Sequence, residues 1–307
     1  LNNNLYILGH PVAHSKSPAM YNALYQKMGL NWEYGFMDIP NSEDASAFVN
    51  SREFLSMNIT TPWKPLAFRF ADISAATAKL AQGANLVVCK DKNLLAYNVD
   101  GQGCVSYLER AGAAFLGASV VICGTGPTAL SIMHECAQAG CAKVIMLSRS
   151  KDKAQDTVNR YLDEYRNLLS TAITLPGAGA RRVSFSDAYK NTEFMFGSYS
   201  TSKQAIADAD IIIDATPLGM KPDDPSPIDT SLIHKRQLIF DTVYGHGVSE
   251  LLRAAKDAGA KALNGQGMLV SQAVATVGIV CDIEEVQIPF SNNELFDIMA
   301  KAANFDL

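Results

Sequence analysis

The stretch SVVICGTGPTA, residues 119–129, constrains this chain more than any other. Ser119 to Cys123 is an apolar run of the kind a strand shows when both its faces are buried in a parallel sheet. Glycines follow at 124 and 126, with Ala129 three residues on, and an apolar-rich pattern over 127–139 that stops at Gly140 predicts a helix. A strand that enters a helix through G-x-G-x-x-A makes a tight turn. It also presents the free N–H groups of a helix N-terminus to an anion, as in the binding of a dinucleotide pyrophosphate. Glycine and alanine are common, so the motif alone is weak. Its weight comes from a second apolar strand, AKVIMLSRS at 142–150, which returns where a βαβ unit requires one. The plain alternative is a strand-to-helix turn that binds nothing.

Further apolar runs follow at 209–216 (ADIIIDAT) and 236–244 (RQLIFDTVY), and SELLRAAKDAGAKAL at 249–263 predicts a helix leading into a short strand. Strands alternating with helices imply an α/β fold with a Rossmann-type, doubly wound parallel sheet. Residues 164–205, which include PGAGARR, carry no clear period and are read as an insertion. The end of the second strand bears on the dinucleotide. NAD sites usually place Asp or Glu there for the ribose 2′-OH. Here the sequence is Ser148-Arg149-Ser150, with no acid before the arginine. A guanidinium flanked by hydroxyls suits a 2′-phosphate, which favours NADP, with NAD as the alternative. Arg149 has a bland reading too, as a surface cation after a strand, and Lys151 and Lys153 fit solvent equally well.

The first hundred residues form a different α/β unit. LYILG (5–9) is a strand, and HPVAHSKSP (10–18) a polar loop. A helix follows, with Ser17 as N-cap and Pro18 at its first position. Strands over 32–39 and 55–61, helices over 41–50 and ending 77–84, and a hairpin over 85–98 complete it. After residue 266 two more helical patterns, MLVSQAVATVGI and NELFDIMAKAA, finish the chain. A length of 307 residues suits two domains. The boundaries expected are 1–103 with 267–307, and 104–266.

Net charge is −5 and no long run of Lys or Arg occurs, which argues against nucleic acid and anionic membranes as partners. The six cysteines form no C-x-x-C pair and sit mostly in apolar runs, as expected in a reducing cytoplasm. The five histidines show no metal-ligand spacing, and His134 lies in an otherwise apolar helix. No signal peptide is visible, and no apolar stretch is read as long enough to span a membrane.

Three polar groups stand at element junctions in the first unit. Ser15 and Ser17 present hydroxyls at a helix N-terminus, a seat for a carboxylate. In NITTPWK (58–64), Pro62 stops a strand just before Lys64, and in YNVDG (97–101) Asp100 ends another. Each has an ordinary explanation, as an N-cap or a solvated charge. Oxidising a small hydroxy acid needs an anion seat, a group to move the hydroxyl proton and a hydride acceptor. A Lys/Asp pair at two strand ends facing the cofactor domain would supply the second, with the carboxylate orienting the lysine.

With these residues assembled, the chain resembles the shikimate dehydrogenase family, including its quinate/shikimate branch. The likeness runs nearly end to end, through GHPVAHSKSPAMYN, NITTPWK, NVDGQG, GTGPTA, DATPLGMKP, DTVYGHG and NGQGMLVSQA. It implies an N-terminal substrate domain joined by the C-terminal helices, an NADP-binding Rossmann domain between, and an active site in the cleft. It also implies reversible NADP-linked reduction of 3-dehydroshikimate to shikimate, a step toward aromatic amino acids. By matching motifs, Lys64 and Asp100 would be the catalytic dyad, and Ser15 and Ser17 would hold the substrate carboxylate. Thr60, Asn85 and Gln272 would bond the remaining hydroxyls, with Tyr244 at the cleft edge. Gly124, Thr125, Gly126, Pro127, Ala129, Ser148, Arg149, Ser150, Thr216 and Gly265 would meet the cofactor. The chain departs from the family pattern in GANLV, in Val99 beside Asp100, and in SRS where NRT is usual. The expected partner is a small molecule, shikimate or quinate, bound by a monomer or homodimer. Two alternatives stand beside this reading: a quinate/shikimate dehydrogenase with NAD or mixed cofactor use, and a non-catalytic ligand-sensing protein on the same fold.

Overall fold

The computed structural model describes residues 3–171 and 191–307. These form two compact units, the first from the described residues of 1–103 with 270–307, the second from those of 104–269.

The first unit is built on a six-stranded mixed sheet. In chain order it holds β1 (Asn4–Gly9), α1 (Ser17–Lys27), β2 (Glu33–Asp38), α2 (Ser42–Ser51), β3 (Ser56–Ile59), α3 (Lys64–Phe70), β4 (Ile73–Ser74), α4 (Ala76–Ala81), β5 (Leu86–Lys90) and β6 (Asn93–Tyr97). The strand order is β2-β1-β3-β5-β6-β4. β2 and β3 flank β1 in parallel, whereas β5 runs antiparallel to both β3 and β6. The β5–β6 turn places Asp91 and Lys92 both at positive φ, 50° and 64°, which matches the right-handed twist of a tight hairpin. Leu8, Val49, Phe54, Met57, Ile59, Trp63, Val87 and Leu94 pack one apolar core.

α5 (Asp100–Arg110) leads into the second unit. There β7 (Ser119–Cys123), α6 (Pro127–Gln138), β8 (Lys143–Ser148), α7 (Lys151–Thr171), β9 (Glu193–Ser198), α8 (Lys203–Asp208), β10 (Ile211–Asp214), β11 (Leu238–Asp241), α9 (Glu250–Asp257) and β12 (Lys261–Asn264) alternate. The sheet order is β12-β11-β10-β7-β8-β9, and every pair is parallel. That is the doubly wound order with a switch point beside β7. Two terminal helices, α10 (Gln266–Ile283) and α11 (Asn292–Ala302), complete the chain. α11 packs on α1, and Ser291 opens it with a reciprocal capping box to Glu294.

Three sequence expectations change. The segment 164–205 is not an insertion where it is described: its first part ends α7, and Glu193–Ser198 is the outermost strand of the parallel sheet. PGAGARR lies outside the described residues. Second, α10 is an 18-residue helix of mean hydropathy 1.4, long and apolar enough by composition to cross a membrane. Gln272, Thr276 and Asp282 interrupt it in sequence and hide its length. Its Val270, Ala273, Val277 and Val280 are buried in the protein, as in a core helix. Third, β3 ends at Ile59, before Pro62, and Lys64 and Asp100 open helices instead of ending strands.

Candidate active site

Strand direction assembles the first half of the site. β1, β3 and β6 run the same way and β5 runs against them. The C-terminal ends of the first three therefore share one edge with the N-terminal end of β5. That edge receives Ser15 and Ser17 after β1, Thr60 and Lys64 after β3, Asn85 before β5, and Asp100 after β6.

The turn into α3 is pinned by Trp63, whose N–H donates to Thr60 O at 2.9 Å and whose indole Nε1 donates to Ile39 O at 2.8 Å. Lys64 is then the first helical residue, and its carbonyl accepts the Ala84 N–H at 3.0 Å. Its Nζ meets Asp100 Oδ2 at 2.5 Å, with the two side chains only 13% and 8% exposed. Asn85 Nδ2 donates to the other carboxylate oxygen at 2.8 Å. The Asn85 amide has no freedom to turn over, because its Oδ1 accepts the Val99 N–H at 2.8 Å. Asp100 thus faces a donor on each oxygen. A buried ion pair adds little net stability over an apolar pair of the same volume, so its presence points to chemistry more than to folding.

Gln272 reaches the same place from α10. Gly103 in the first turns of α5 lets it come close: a Cβ at residue 103 would fall 2.6 Å from Gln272 Cβ and 2.7 Å from its backbone nitrogen. Gln272 Oε1 stands 3.5 Å from Asn85 Nδ2. Thr60 is held by its N–H to Leu8 O at 2.9 Å.

Ser15 and Ser17 lie with their hydroxyls 3.2 Å apart. Ser17 is not the N-cap of α1. Lys16 holds that position without a side-chain cap, and Ser15 Oγ accepts the Ser17 N–H, which starts the helix one residue earlier. Asp38 braces this loop by accepting from His10 at 2.6 Å and from the Val12 N–H at 3.1 Å. The His10 bond, with the backbone donors, holds the Asp38 carboxyl below its ordinary value.

In the second unit the remaining candidates lie along the C-terminal edge of the parallel sheet, where open α/β sheets bind ligands. Gly124 sits at φ +111°, and a Cβ there would stand 3.0 Å from Ala215 O. Gly126 is the N-cap of α6, has no side-chain cap, and a Cβ at that position would meet nothing within 4 Å. Thr125, between them, completes the turn. Pro127 opens the helix and Ala129 is buried beneath it. An uncapped helix N-terminus under open space fits a dinucleotide pyrophosphate.

The hydroxyls beside Arg149 are partly committed. Ser148 Oγ donates to Ser150 O at 2.7 Å and accepts the Ser150 N–H, and Ser150 Oγ accepts the Lys153 N–H at 3.3 Å in the first turn of α7. Arg149 itself is exposed. Thr216 N–H caps Asp214 at 2.9 Å, Tyr244 lies in the loop after β11, and the Gly265 N–H donates to Val243 O at the start of α10.

Two residues near this edge escaped sequence reading. Asp214 is buried in register between Cys123 and Asp241, and burial pushes its carboxyl up to about 7, with the Asp241 charge adding to it. Tyr199 follows β9 and neighbours Gly124 and Arg149, and burial pushes its phenol up. The short apolar run Phe194-Met195-Phe196 before it was the available signal for that strand. His134 proves to be a core residue: Tyr161 bonds its Nδ1 at 3.0 Å, and burial lowers it to about 4. No cluster able to hold a metal ion occurs among the described residues.

Residues 7–87 match the family model described as the shikimate dehydrogenase substrate binding domain. A relative in Symbiobacterium thermophilum, named shikimate dehydrogenase (NADP(+)), is 33% identical over 272 residues, covering 87% of this chain and 85% of that protein. Among solved structures, a shikimate dehydrogenase in complex with NADP+ superposes with a TM-score of 0.77 at 24% identity, covering 99% of this chain and 95% of the other. A quinate dehydrogenase from Corynebacterium glutamicum in complex with NAD gives 0.75 at 22% identity, covering 97% and 98%. These two likenesses establish the fold. The identity shared with the Symbiobacterium protein, sustained over most of both chains, establishes the family: this chain belongs to the shikimate dehydrogenases.

Proposed function

We propose that this chain is an NADP-dependent shikimate dehydrogenase, interconverting 3-dehydroshikimate and shikimate. The observation that carries the reading is the Lys64–Asp100 pair at 2.5 Å, shielded from water and steadied by Asn85. In reduction the Lys64 ammonium gives a proton to the ketone oxygen as it becomes the ring hydroxyl, and in oxidation the neutral Lys64 amine takes that proton back. Asp100 orients the lysine and shares its proton, which keeps the donor in place at the reacting oxygen. Ser15 and Ser17 hold the substrate carboxylate, and Thr60, Asn85, Gln272 and Tyr244 bond the other hydroxyls.

The dinucleotide, when bound, supplies the hydride acceptor. Gly124, Thr125, Gly126 and Pro127 would hold its pyrophosphate at the α6 N-terminus, above the buried Ala129, and Thr216 and Gly265 would lie nearby. Arg149 would select for the 2′-phosphate, with the Ser148 and Ser150 hydroxyls shaping its loop. The thiols are free, which fits a reducing cytoplasm. The protein works on a small molecule as a monomer or homodimer, with a substrate domain of 1–103 and 267–307 and a cofactor domain of 104–266.

Initial rates with shikimate and with quinate, each against NADP and NAD, test this. Shikimate with NADP gives the highest kcat/KM. A clear preference for NAD overturns the role of Arg149, and absence of turnover with all four pairs overturns the enzyme reading in favour of a ligand sensor.

A further inference from the structure

The catalytic pair stands on two separate segments, and one side chain outside the pair ties them together. Asn98 is fully buried just after β6, and its polar groups are engaged. Its Oδ1 accepts the Asp100 N–H at 3.1 Å. Its Nδ2 donates to the Gly83 carbonyl at 2.9 Å, and its own N–H donates to Thr77 Oγ1 at 3.2 Å. The Gly83–Asn85 turn it grips is the same turn that holds both partners. Ala84 N–H binds the Lys64 carbonyl, and the Asn85 amide binds the Asp100 carboxylate. Asn98 therefore fixes the first N–H of α5 and the turn beneath Lys64 at once.

We propose that Asn98 is a positioning residue that sets the separation of Lys64 and Asp100. A buried asparagine is costly to leave unsatisfied, so these bonds hold it in a single orientation. Proton transfer depends steeply on such placement, and a displacement near 1 Å can cost on the order of a hundredfold in rate. Val99 leans on the same device: its N–H goes to Asn85 Oδ1, so the 97–100 segment and the 83–85 turn are laced by both side chains.

Three variants of the full chain test it. Asn98→Ala removes both side-chain bonds. Asn98→Ser keeps an acceptor for the N–H two residues on, as serine does in turns, but cannot reach Gly83. Thr77→Val removes only the anchor under the Asn98 backbone. Asn98→Ala lowers kcat by about 30- to 100-fold, leaves KM for NADP within about twofold, and displaces the pH profile of kcat. Asn98→Ser recovers part of that loss, and Thr77→Val lowers Tm while keeping kcat within about twofold of wild type. Wild-type kcat and pH profile in Asn98→Ala, or an equal kcat loss in Thr77→Val, overturn the proposal. Where Asn98→Ala does not fold, Asn98→Ser decides, since unchanged kcat and pH profile there are equally contrary. The kinetic arms rest on the dehydrogenase reading. A wild type without turnover would defeat that reading alone, and a crystal structure of Asn98→Ser would still decide the inference. A Lys64–Asp100 separation lengthened beyond hydrogen-bond range supports it, and an unchanged pair contradicts it.

Discussion

Asp100 and Asp214 are both buried carboxylates at the edge of a sheet, one in each unit, and their charges are handled in opposite ways. Asp100 has an ammonium on one oxygen and an amide donor on the other. Asp214 has only uncharged donors, the Thr216 hydroxyl and backbone N–H, and its in-register neighbour is another carboxylate, Asp241. Among the described residues no lysine or arginine pairs with it. Burial then pushes Asp214 up to about 7. Asp241 is also raised by burial, against which Ser249 Oγ donates at 2.6 Å. At the proposed catalytic pair the fold supplies a counter-charge and a second donor. Where no counter-charge is supplied, the carboxyl is held toward its neutral form, on the edge that would face an anionic cofactor.

Substitutions can break or sharpen that contrast. The largest effect belongs to Lys64→Ala, which removes the proposed proton-transfer group and leaves Asp100 buried without its partner. We expect kcat to fall by about a thousandfold or more, with KM for shikimate changed only a few-fold, read by steady-state kinetics. Wild-type kcat would refute the role of the lysine.

Asp214→Asn acts on stability, and its sign is the reverse of the usual carboxylate. The folded value, about 7, lies above the ordinary 3.8. The stabilising contribution is therefore complete below that ordinary value and is lost as pH rises through about 7. An uncharged isostere removes this loss. At pH 8 Asp214→Asn is expected to be more stable than wild type by on the order of 2 kcal/mol, with the difference vanishing toward pH 4. Urea unfolding at the two pH values measures it, and a variant less stable at pH 8 would mean the carboxylate is compensated after all.

Gly103→Ala forces a Cβ against Gln272 beside the paired carboxylate and should destabilise by about 1–3 kcal/mol, read from the urea midpoint. A neutral substitution would show that α5 and α10 slide apart easily. Smallest is Arg149→Ala, which raises KM for NADP about tenfold and leaves KM for NAD unchanged. An equal effect on both cofactors would assign the arginine to the shared pyrophosphate.

The parallel sheet was largely legible because its central strands are continuous apolar runs, and the G-x-G turn told where they lead. β9 was missed because its apolar run, Phe194 to Phe196, is too short between polar segments to stand out. Helix starts were displaced at Lys64 by a backbone turn, Trp63 N–H to Thr60 O, and at Ser17 and Asp100 by local side chains. Local side-chain bonds, such as Ser15 Oγ to Ser17 N–H and Asn98 Oδ1 to Asp100 N–H, decide the frame of a first turn, and spacing does not reveal them. The pairing of Lys64 with Asp100 was suggested by motif and chemistry. The hairpin of β5 with β6 was legible, but the contact of Lys64 with Asp100 also depends on β5 pairing antiparallel with β3, which no local pattern encodes. Asp214 was invisible for the complementary reason: its significance lies in its neighbours across the sheet.

The central claim is that Lys64 and Asp100 act as one proton-transfer unit. A double-mutant cycle of Lys64→Ala and Asp100→Asn, measured as kcat for shikimate oxidation with NADP, tests it most directly. Acting as a unit, the pair gives a double variant no slower than Lys64→Ala alone, within about twofold. Losses that multiply would show that the two side chains contribute separately and would contradict the account.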